Sequence, residues 1–492
     1  MKSSTALIRN DFQAADETSE RTLHLFELAG LQPPAADDVT PFSDIKRFEE
    51  RWHADPTFRS AFIQDPDRVA ATFGLRVDPE LVRPIWDPEH SGDDESKSPP
   101  VWVRYRDFQR RGTKHLLDAT AASQPADPRF ARWRQRQIYR ANLEIGVSLT
   151  PNPHIPASFE LSRGCSVGCW FCSLSPPRLD DVFRYTPEHA RLWREILEVI
   201  GGVSGPAARR TICYSGTDPF DNPDYERFVD DFVSTFGDVP FTSTAIPTRD
   251  VERTRRLLAI SPAYRVRFSV LSVGALAKIH AVFSPEETLP VLFGLRNEGA
   301  TDARSLNFAG RARDNVAKYR KYQPERPVIS TPSCESGFKF NLAERTIRLV
   351  SPCAPDDRWP MGYRVYDEAS FETGGDVARI VEDMMSRHMT RTASDLPVLR
   401  FPNHLRYESI NTGFALIGRR LRQRFEDTSD MPSMARLGEL IASARHNASA
   451  IGTLLDRECG VRREATTATL EDLFNLGALE EDLQEPDGPL SN

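Results

Sequence analysis

Hydrophobic positions first fall into a regular pattern at Phe42. Ile45, Phe48 and Trp52 share one helical face, followed by Phe58 and Phe62 and then by Val69 and Phe73. Asp55-Pro56 and Asp65-Pro66 interrupt the run, so the spacing predicts two or three short helices ending near Gly74. Residues 88–99 are polar and read as a linker. From about 157 to 330 the pattern alternates between short apolar runs and amphipathic stretches. Candidate strands are Ser158–Leu161, Thr211–Ser215, Phe241–Ala245, Tyr264–Leu271 and Ser305–Arg311; Pro187–Ile200, Asp224–Phe236 and Asp250–Ile260 read as helices between them. Such alternation predicts a parallel sheet with right-handed crossovers, and about six units make an open barrel that binds ligands at the carboxyl ends of its strands. A hairpin follows, Gly337–Asn341 against Thr346–Val350. From about 376 the chain reads as mostly helical, with 434–455 and 466–479 forming a small helical or winged-helix-like bundle. The expected fold is α/β, a partial (β/α)6 TIM-like barrel with helical N-terminal and C-terminal extensions. Its expected divisions are 1–100 (helical), 101–156 (basic connector), 157–330 (barrel), 331–375 (cysteine-bracketed hairpin) and 376–492 (helical).

Composition changes the picture little. A chain of 492 residues exceeds one compact core. A formal charge of -8 gives no support to a general nucleic-acid binder. The first ten residues reach a charge too soon for a secretory apolar region, and no apolar run approaches membrane-spanning length. The expectation is therefore a cytoplasmic protein with neither membrane nor nucleic acid as partner. Locally, Arg104 to Arg140 sets ten Lys/Arg against three Asp, with Tyr105, Phe108, Phe130, Trp133 and Tyr139 interleaved. Such a run reads as a solvated helix face or as a docking surface for an acidic peptide. The acidic tail, with seven carboxylates and no base from Glu471 to Asp487, offers it an internal partner.

Chemistry concentrates in Cys165-Ser-Val-Gly-Cys169-Trp-Phe-Cys172. These are three of seven cysteines, an odd number that makes a poor disulfide framework and points to metal or catalytic use in a reducing compartment. Three thiolates at this spacing suit three irons of a [4Fe-4S] cluster, leaving the fourth iron open to a small molecule that can accept an electron. A structural zinc site needs a fourth ligand, and His154, His189 and Cys213 are isolated candidates for it. The cysteine pattern, with Phe171 before the last thiol, resembles the signature of radical S-adenosylmethionine (SAM) enzymes. That resemblance implies a SAM cofactor, with Phe171 beside it. It also implies that Gly216, Thr217 and Asp218, in Tyr214-Ser-Gly-Thr-Asp-Pro219, stand in for a Gly-Gly-Glu-like motif meeting the SAM amino group, and that Ser269 contacts its ribose or carboxylate. Read alone, the same turn is a strand-ending turn.

A finer resemblance runs over roughly residues 42 to 370. Thr331-Pro-Ser-Cys334-Glu-Ser-Gly-Phe, Asn341, and Ser351-Pro-Cys353 through Tyr363 resemble the radical SAM peptide epimerases of ribosomal peptide maturation, the polytheonamide type. The stretch from Lys46–Trp52 to Asp78-Pro79 and Thr217 to Tyr225 look like that family too. Residues 42–86 also look like Nif11-type leader sequences; the competing reading is a helical cap. What the epimerase resemblance implies is Cα hydrogen abstraction from an L-residue by a 5′-deoxyadenosyl radical, then hydrogen donation from a thiol on the opposite face. Cys334 is the first candidate donor and Cys353 the second; the pair also reads as ligands of an auxiliary cluster. Cys213 and Cys459 read as buried core cysteines. Implied partners are a precursor peptide (leader plus core) and a reductase or flavodoxin-type electron donor. Two rivals remain open: a radical peptide crosslinker forming thioether or carbon–carbon bonds, and a non-catalytic iron–sulfur or zinc protein.

Overall fold

The computed structural model describes residues 16–87, 89, 99–121, 124–146, 154–301, 306–322, 333–418, 421–429 and 431–481. Most of the 88–99 linker, Thr331 and Pro332, and the tail beyond Glu481 lie outside these. The chain divides into two units. One comprises 1–119, 218–220 and 239–306, the other 120–217, 221–238 and 307–492. The strands, in chain order, are β1 (Ile155–Glu160), β2 (Ser162–Arg163), β3 (Asp181–Val182), β4 (Thr242–Thr244), β5 (Val266–Val270) and β6 (Leu292–Leu295). They continue with β7 (Glu335–Asn341), β8 (Thr346–Pro352), β9 (Tyr363–Ser370), β10 (Arg406–Ile410), β11 (Gly413–Ile417) and β12 (Arg422–Glu426).

In the first unit the amphipathic run becomes helices Ala36–Ala54, Pro56–Gln64 and Pro66–Thr72. Both interruptions are helix starts. Asp55 accepts from the backbone N–H groups of Thr57 and Phe58, Asp65 accepts from that of Arg68, and each proline occupies a first-turn position where no N–H is needed. Phe42, Ile45, Phe48, Trp52, Phe58, Phe62 and Val69 share one core with Phe26, Tyr105, Phe108 and Tyr264, while Phe73 stays exposed. Helix Ala36–Ala54 is tied to the αβ part of the same unit. The Arg47 guanidinium donates to the carbonyls of His280 and Phe283, and Asn297 donates to that of Ala54. Strands β4, β5 and β6 form a parallel sheet in that order, flanked by helices Val251–Ile260 and Val273–Val282. The Leu-Phe-Gly-Leu run of β6 escapes sequence prediction because it is short and lacks β-branched residues.

In the second unit a four-stranded mixed sheet runs β1-β7-β8-β9. β1 and β7 are parallel; β7, β8 and β9 are antiparallel neighbours. The expected hairpin pairs Gly337 with Val350 and Asn341 with Thr346, and β9 adds a third strand. Helices Pro187–Ser204 and Tyr225–Phe236 belong here. Trp193 lies edge-on to Phe159, 4.8 Å between ring centres, and Phe159 tilts on Phe340 at 5.2 Å. The C-terminal part is helix Gly374–His388, then the antiparallel sheet β10-β11-β12, then helices Met434–Ala442, Ala448–Cys459 and Arg463–Asn475.

The chain is thus mixed α/β, with several helices and small sheets, and no closed barrel among the described residues. Three expectations are corrected. Thr211–Ser215 is no strand but a single parallel bridge, Ile212 to Ser158, because the chain turns at Gly216 and Asp218 before a ladder can extend. In Ser305–Arg311 the described residues 306–310 form no strand, and Arg311 opens a one-turn helix instead. The C-terminal extension is not wholly helical, since residues 406–426 carry a three-stranded sheet whose central strand is buried and whose outer strands are partly or largely exposed. The basic segment is two helices, Pro100–Ala121 and Pro128–Ile145, and much of its charge is used internally. Arg104 bonds Asp38, and Arg136 bonds Glu481 of the acidic tail at 2.9 Å with both side chains buried. No helix among the described residues is long and apolar enough to cross a membrane.

Candidate functional site

Strand β1 leads straight into the cysteine loop, and the β2–β3 pair closes the loop at its base. Ser162 pairs with Val182, Arg163 with Asp181, and Cys165 bridges to Arg178. Gly164 sits at φ 83°, and a Cβ there would stand 2.3 Å from the Arg178 carbonyl oxygen, so only glycine fits. The loop backbone is pinned at each cysteine. The Cys165 N–H donates to the Pro177 carbonyl (3.1 Å) and that of Cys172 to the Cys169 carbonyl (3.2 Å). Arg311 is the clamp across it. Its backbone N–H donates to the Cys172 carbonyl (3.0 Å), and its guanidinium donates to the carbonyls of Cys169 (3.2 Å) and Pro176. Gly310 lets this approach happen, since a Cβ on it would meet the Ser173 carbonyl at 2.4 Å. From the other side the Asp221 carboxylate accepts from the Ser166 N–H (2.8 Å) and hydroxyl, and the Asn222 amide donates to the carbonyls of Leu161 and Phe183.

All three loop cysteines are half-buried, and none is in a disulfide. Burial, then the neighbouring Cys172 and Cys165, push the Cys169 thiol up to about 12. A thiol whose ionisation is opposed by burial and by neighbouring sulfurs in this way is a donor a cation stabilises, because binding removes the proton and the repulsion together. The set fits an iron–sulfur cluster by its chemistry. Among the described residues no group of three or more His, Cys, Asp or Glu is placed to hold a metal ion. Neither histidine completes a zinc site: His154 is buried against the Ser336 hydroxyl (2.8 Å), and His189 bonds the Arg184 carbonyl and stacks on Phe183. Phe171 is half-buried and edge-on to Trp170.

Beside the end of β1 lies a buried ionic cluster that the sequence pattern did not single out. Lys339 of β7 donates to the Glu160 carboxylate at 2.6 Å and stands 3.9 Å from that of Glu335. Asn341 donates to the second Glu160 oxygen (3.0 Å), and Ser215 donates to Glu335. Burial acts to lower the Lys339 ammonium, yet Glu160 and Glu335 outweigh it and hold it charged above its usual range. The signal was present in the alternation Gly337-Phe-Lys-Phe-Asn, which puts Lys339 and Asn341 on the face opposite two core phenylalanines. A Cβ on Gly216 would stand 2.9 Å from Glu160 Oε1 and 3.7 Å from Leu174 of the cysteine loop. The loop, the Ser215-Gly216 turn and the Glu160–Lys339 pair therefore adjoin one another at this end of the sheet. Thr217 is half-buried next to them in sequence.

Asp218 and Ser269 belong to the other unit. The Asp218 carboxylate accepts from the Thr244 hydroxyl (2.9 Å) and the Ala245 N–H (2.8 Å), so it fastens the end of β4. Ser269 lies on β5, 3.4 Å from the Ser243 hydroxyl. Cys334 and Cys353 lie toward the start of β1. The Ile155 N–H donates to the Cys334 carbonyl at 2.7 Å, and Cys353 follows β8 at the same end of the hairpin. The five strand steps from Ile155 to Glu160 separate that end from the cysteine loop by roughly 17 Å. Cys334 is half-buried. Cys353 is fully buried, and burial followed by Glu144 pushes its thiol well up. Cys213 is buried as expected; Cys459 is exposed, at the end of a surface helix.

No family model matches the chain. A curated relative, "Uncharacterized protein y4wI" of Sinorhizobium fredii (strain NBRC 101917 / NGR234), is 36% identical over 460 residues, covering 90% of this chain and 88% of that protein. The chain belongs to the same family as y4wI. Among solved structures, BtrN in complex with AdoMet and 2-DOIA is similar at a TM-score of 0.28 and 14% identity, over 39% of this chain and 71% of that one. A likeness so slight carries no argument about fold or function.

Proposed function

We propose that this protein is a radical SAM enzyme converting L- to D-residues in a ribosomally made precursor peptide. The observation carrying this reading is the three-thiol loop that follows a parallel strand and is held by backbone bonds at every cysteine. Cys165, Cys169 and Cys172 hold the cluster, and Phe171 borders it. When bound, the cluster and SAM together supply a one-electron reductant and a primary alkyl radical able to take hydrogen from an unactivated carbon. The Ser215-Gly216-Thr217 turn would meet the amino-acid end of SAM. The Asp218 carboxylate is engaged at β4, and the acid beside Gly216 is Glu160, itself paired with Lys339. In the other unit Asp218 holds the end of β4 and Ser269 lies on β5.

Cys334 is the hydrogen donor in this reading. Of the two candidate thiols it is the accessible one, and Cys353 is sealed in the core. Donation transfers one hydrogen atom from Sγ to Cα and leaves a sulfur radical, so each turnover needs one electron for SAM cleavage and a second electron with a proton to restore the thiol, both from a reductase or flavodoxin-type partner. Its position at the far end of β1 requires the substrate backbone to lie between it and the cysteine loop.

The test is anaerobic reconstitution followed by incubation with SAM and a precursor peptide in deuterated water. An epimerase releases 5′-deoxyadenosine and leaves deuterium at each altered Cα, because the exchangeable thiol hydrogen ends there. Loss of hydrogen from the peptide would instead indicate a crosslinker, and absence of deoxyadenosine would remove the radical SAM reading.

A further inference from the structure

The C-terminal sheet β10-β11-β12 ends in an open edge. In an antiparallel ladder, paired residues alternate between those exchanging hydrogen bonds and those whose backbone groups point away. The Gly418 N–H donates to the Leu421 carbonyl, and that of Asp427 to the Thr412 carbonyl. With Phe414 opposite Phe425 and Leu416 opposite Gln423, these fix which β12 residues bond β11. Arg422, Arg424 and Glu426 are the others, so their N–H and C=O groups face outward. Among the described residues nothing hydrogen-bonds to that edge, and four of the five β12 residues are exposed. The strand is firmly seated, because the fifth, Phe425, stacks on buried Phe414 at 5.0 Å. An edge of this kind is a template for another strand.

Charge indicates what kind of strand. Arg422 and Arg424 stand on one face of β12 with Arg406 and Glu408 of β10 on the same side of the sheet. Glu408 is shared by Arg406 and Arg422. Arg424 is exposed and has no ion pair among the described residues. In sequence the edge is preceded by Arg419 and Arg420, giving four arginines in Arg-Arg-Leu-Arg-Gln-Arg.

We propose that the free edge of β12 binds an extended, acidic segment of a partner polypeptide by strand addition. Backbone bonds to Arg422, Arg424 and Glu426 give affinity, and alternate carboxylates of the partner meet Arg422 and Arg424. The site is independent of the cysteine loop, so it stands or falls without iron or SAM.

The full-length protein, without cofactors, is titrated into a short fluorescein-labelled peptide alternating Glu with Val, and fluorescence anisotropy is read. Binding is expected, with about tenfold loss in the double variant Arg422→Glu, Arg424→Glu. Arg424→Pro, which deletes an outward N–H and no ladder bond, should weaken binding as much while leaving the thermal melt of the protein in place. Peptides N-methylated at alternate residues should lose binding in one register and keep it in the other. Absence of binding to the wild-type chain, or binding indifferent to both N-methyl registers, overturns the proposal. So does self-association in sedimentation that Arg424→Pro abolishes, because the occupant would then be a second copy.

Discussion

Arg311 illustrates how one side chain can set a reactive loop. It donates to the carbonyls of Cys169 and Pro176 while its own N–H holds Cys172, so two of three candidate ligands depend on it. Arg311→Met should cost about 1–3 kcal/mol in chemical denaturation. It should also lower iron bound per chain after reconstitution although every cysteine is intact; unchanged iron content would reduce Arg311 to a surface contact. Cys334 supports a separable expectation. Cys334→Ala should release 5′-deoxyadenosine from SAM yet form little D-residue in the precursor, read by chiral amino-acid analysis, and full epimerisation would exclude it as donor. Arg311 was not legible beforehand, and of Lys339 only its strand face was. Arg311 is distant in sequence from the loop it clamps, and a lysine within a hairpin carries no sign that its strand is buried on both faces.

At the scale of elements, the Asp-Pro boundaries of the first unit and the registry of the β7–β8 hairpin were readable, because capping and strict alternation are local signals. The strands β6, β9 and β10 to β12 were not. Their pairing depends on partners far along the chain, and Thr211–Ser215 had strand-like residues without the room to form a ladder. The leader-like helices show what tertiary context adds. Phe48 is fully buried among Trp52, Phe58 and Phe62, and helix Ala36–Ala54 is bonded to residues 280–297. Phe48→Ala should therefore destabilise by about 3–5 kcal/mol in denaturant titration. Deleting residues 1–100 should yield aggregated protein by size-exclusion chromatography, rather than a soluble enzyme with weaker peptide affinity. A monodisperse, SAM-cleaving deletion variant would return that segment to a purely peptide-binding role.

Across the whole molecule, buried carboxylates answer for acid stability. Burial acts to raise Glu481, but Arg136 and the Gln137 amide outweigh it and hold it below the ordinary glutamate value of 4.5; Glu144, beside His404, Arg364 and Arg140, is also held low. Groups depressed in the folded state stabilise it above their unfolded pKa, and that contribution disappears as pH falls through the folded value. The melting temperature should thus fall as pH drops below about 4.5, and less steeply in Glu481→Gln, which should itself lose about 3–5 kcal/mol at neutral pH by stranding Arg136. A flat profile would show these pairs to be indifferent.

The proposed function requires the three loop thiols to carry a redox-active iron–sulfur cluster. The direct measurement is the electron paramagnetic resonance spectrum of anaerobically reconstituted, dithionite-reduced protein with and without SAM, beside the Cys165→Ser, Cys169→Ser, Cys172→Ser triple variant. A radical SAM enzyme should give a reduced-cluster signal that SAM perturbs and the triple variant lacks. A wild-type protein without that signal, or a triple variant that retains it, would overturn the proposed function.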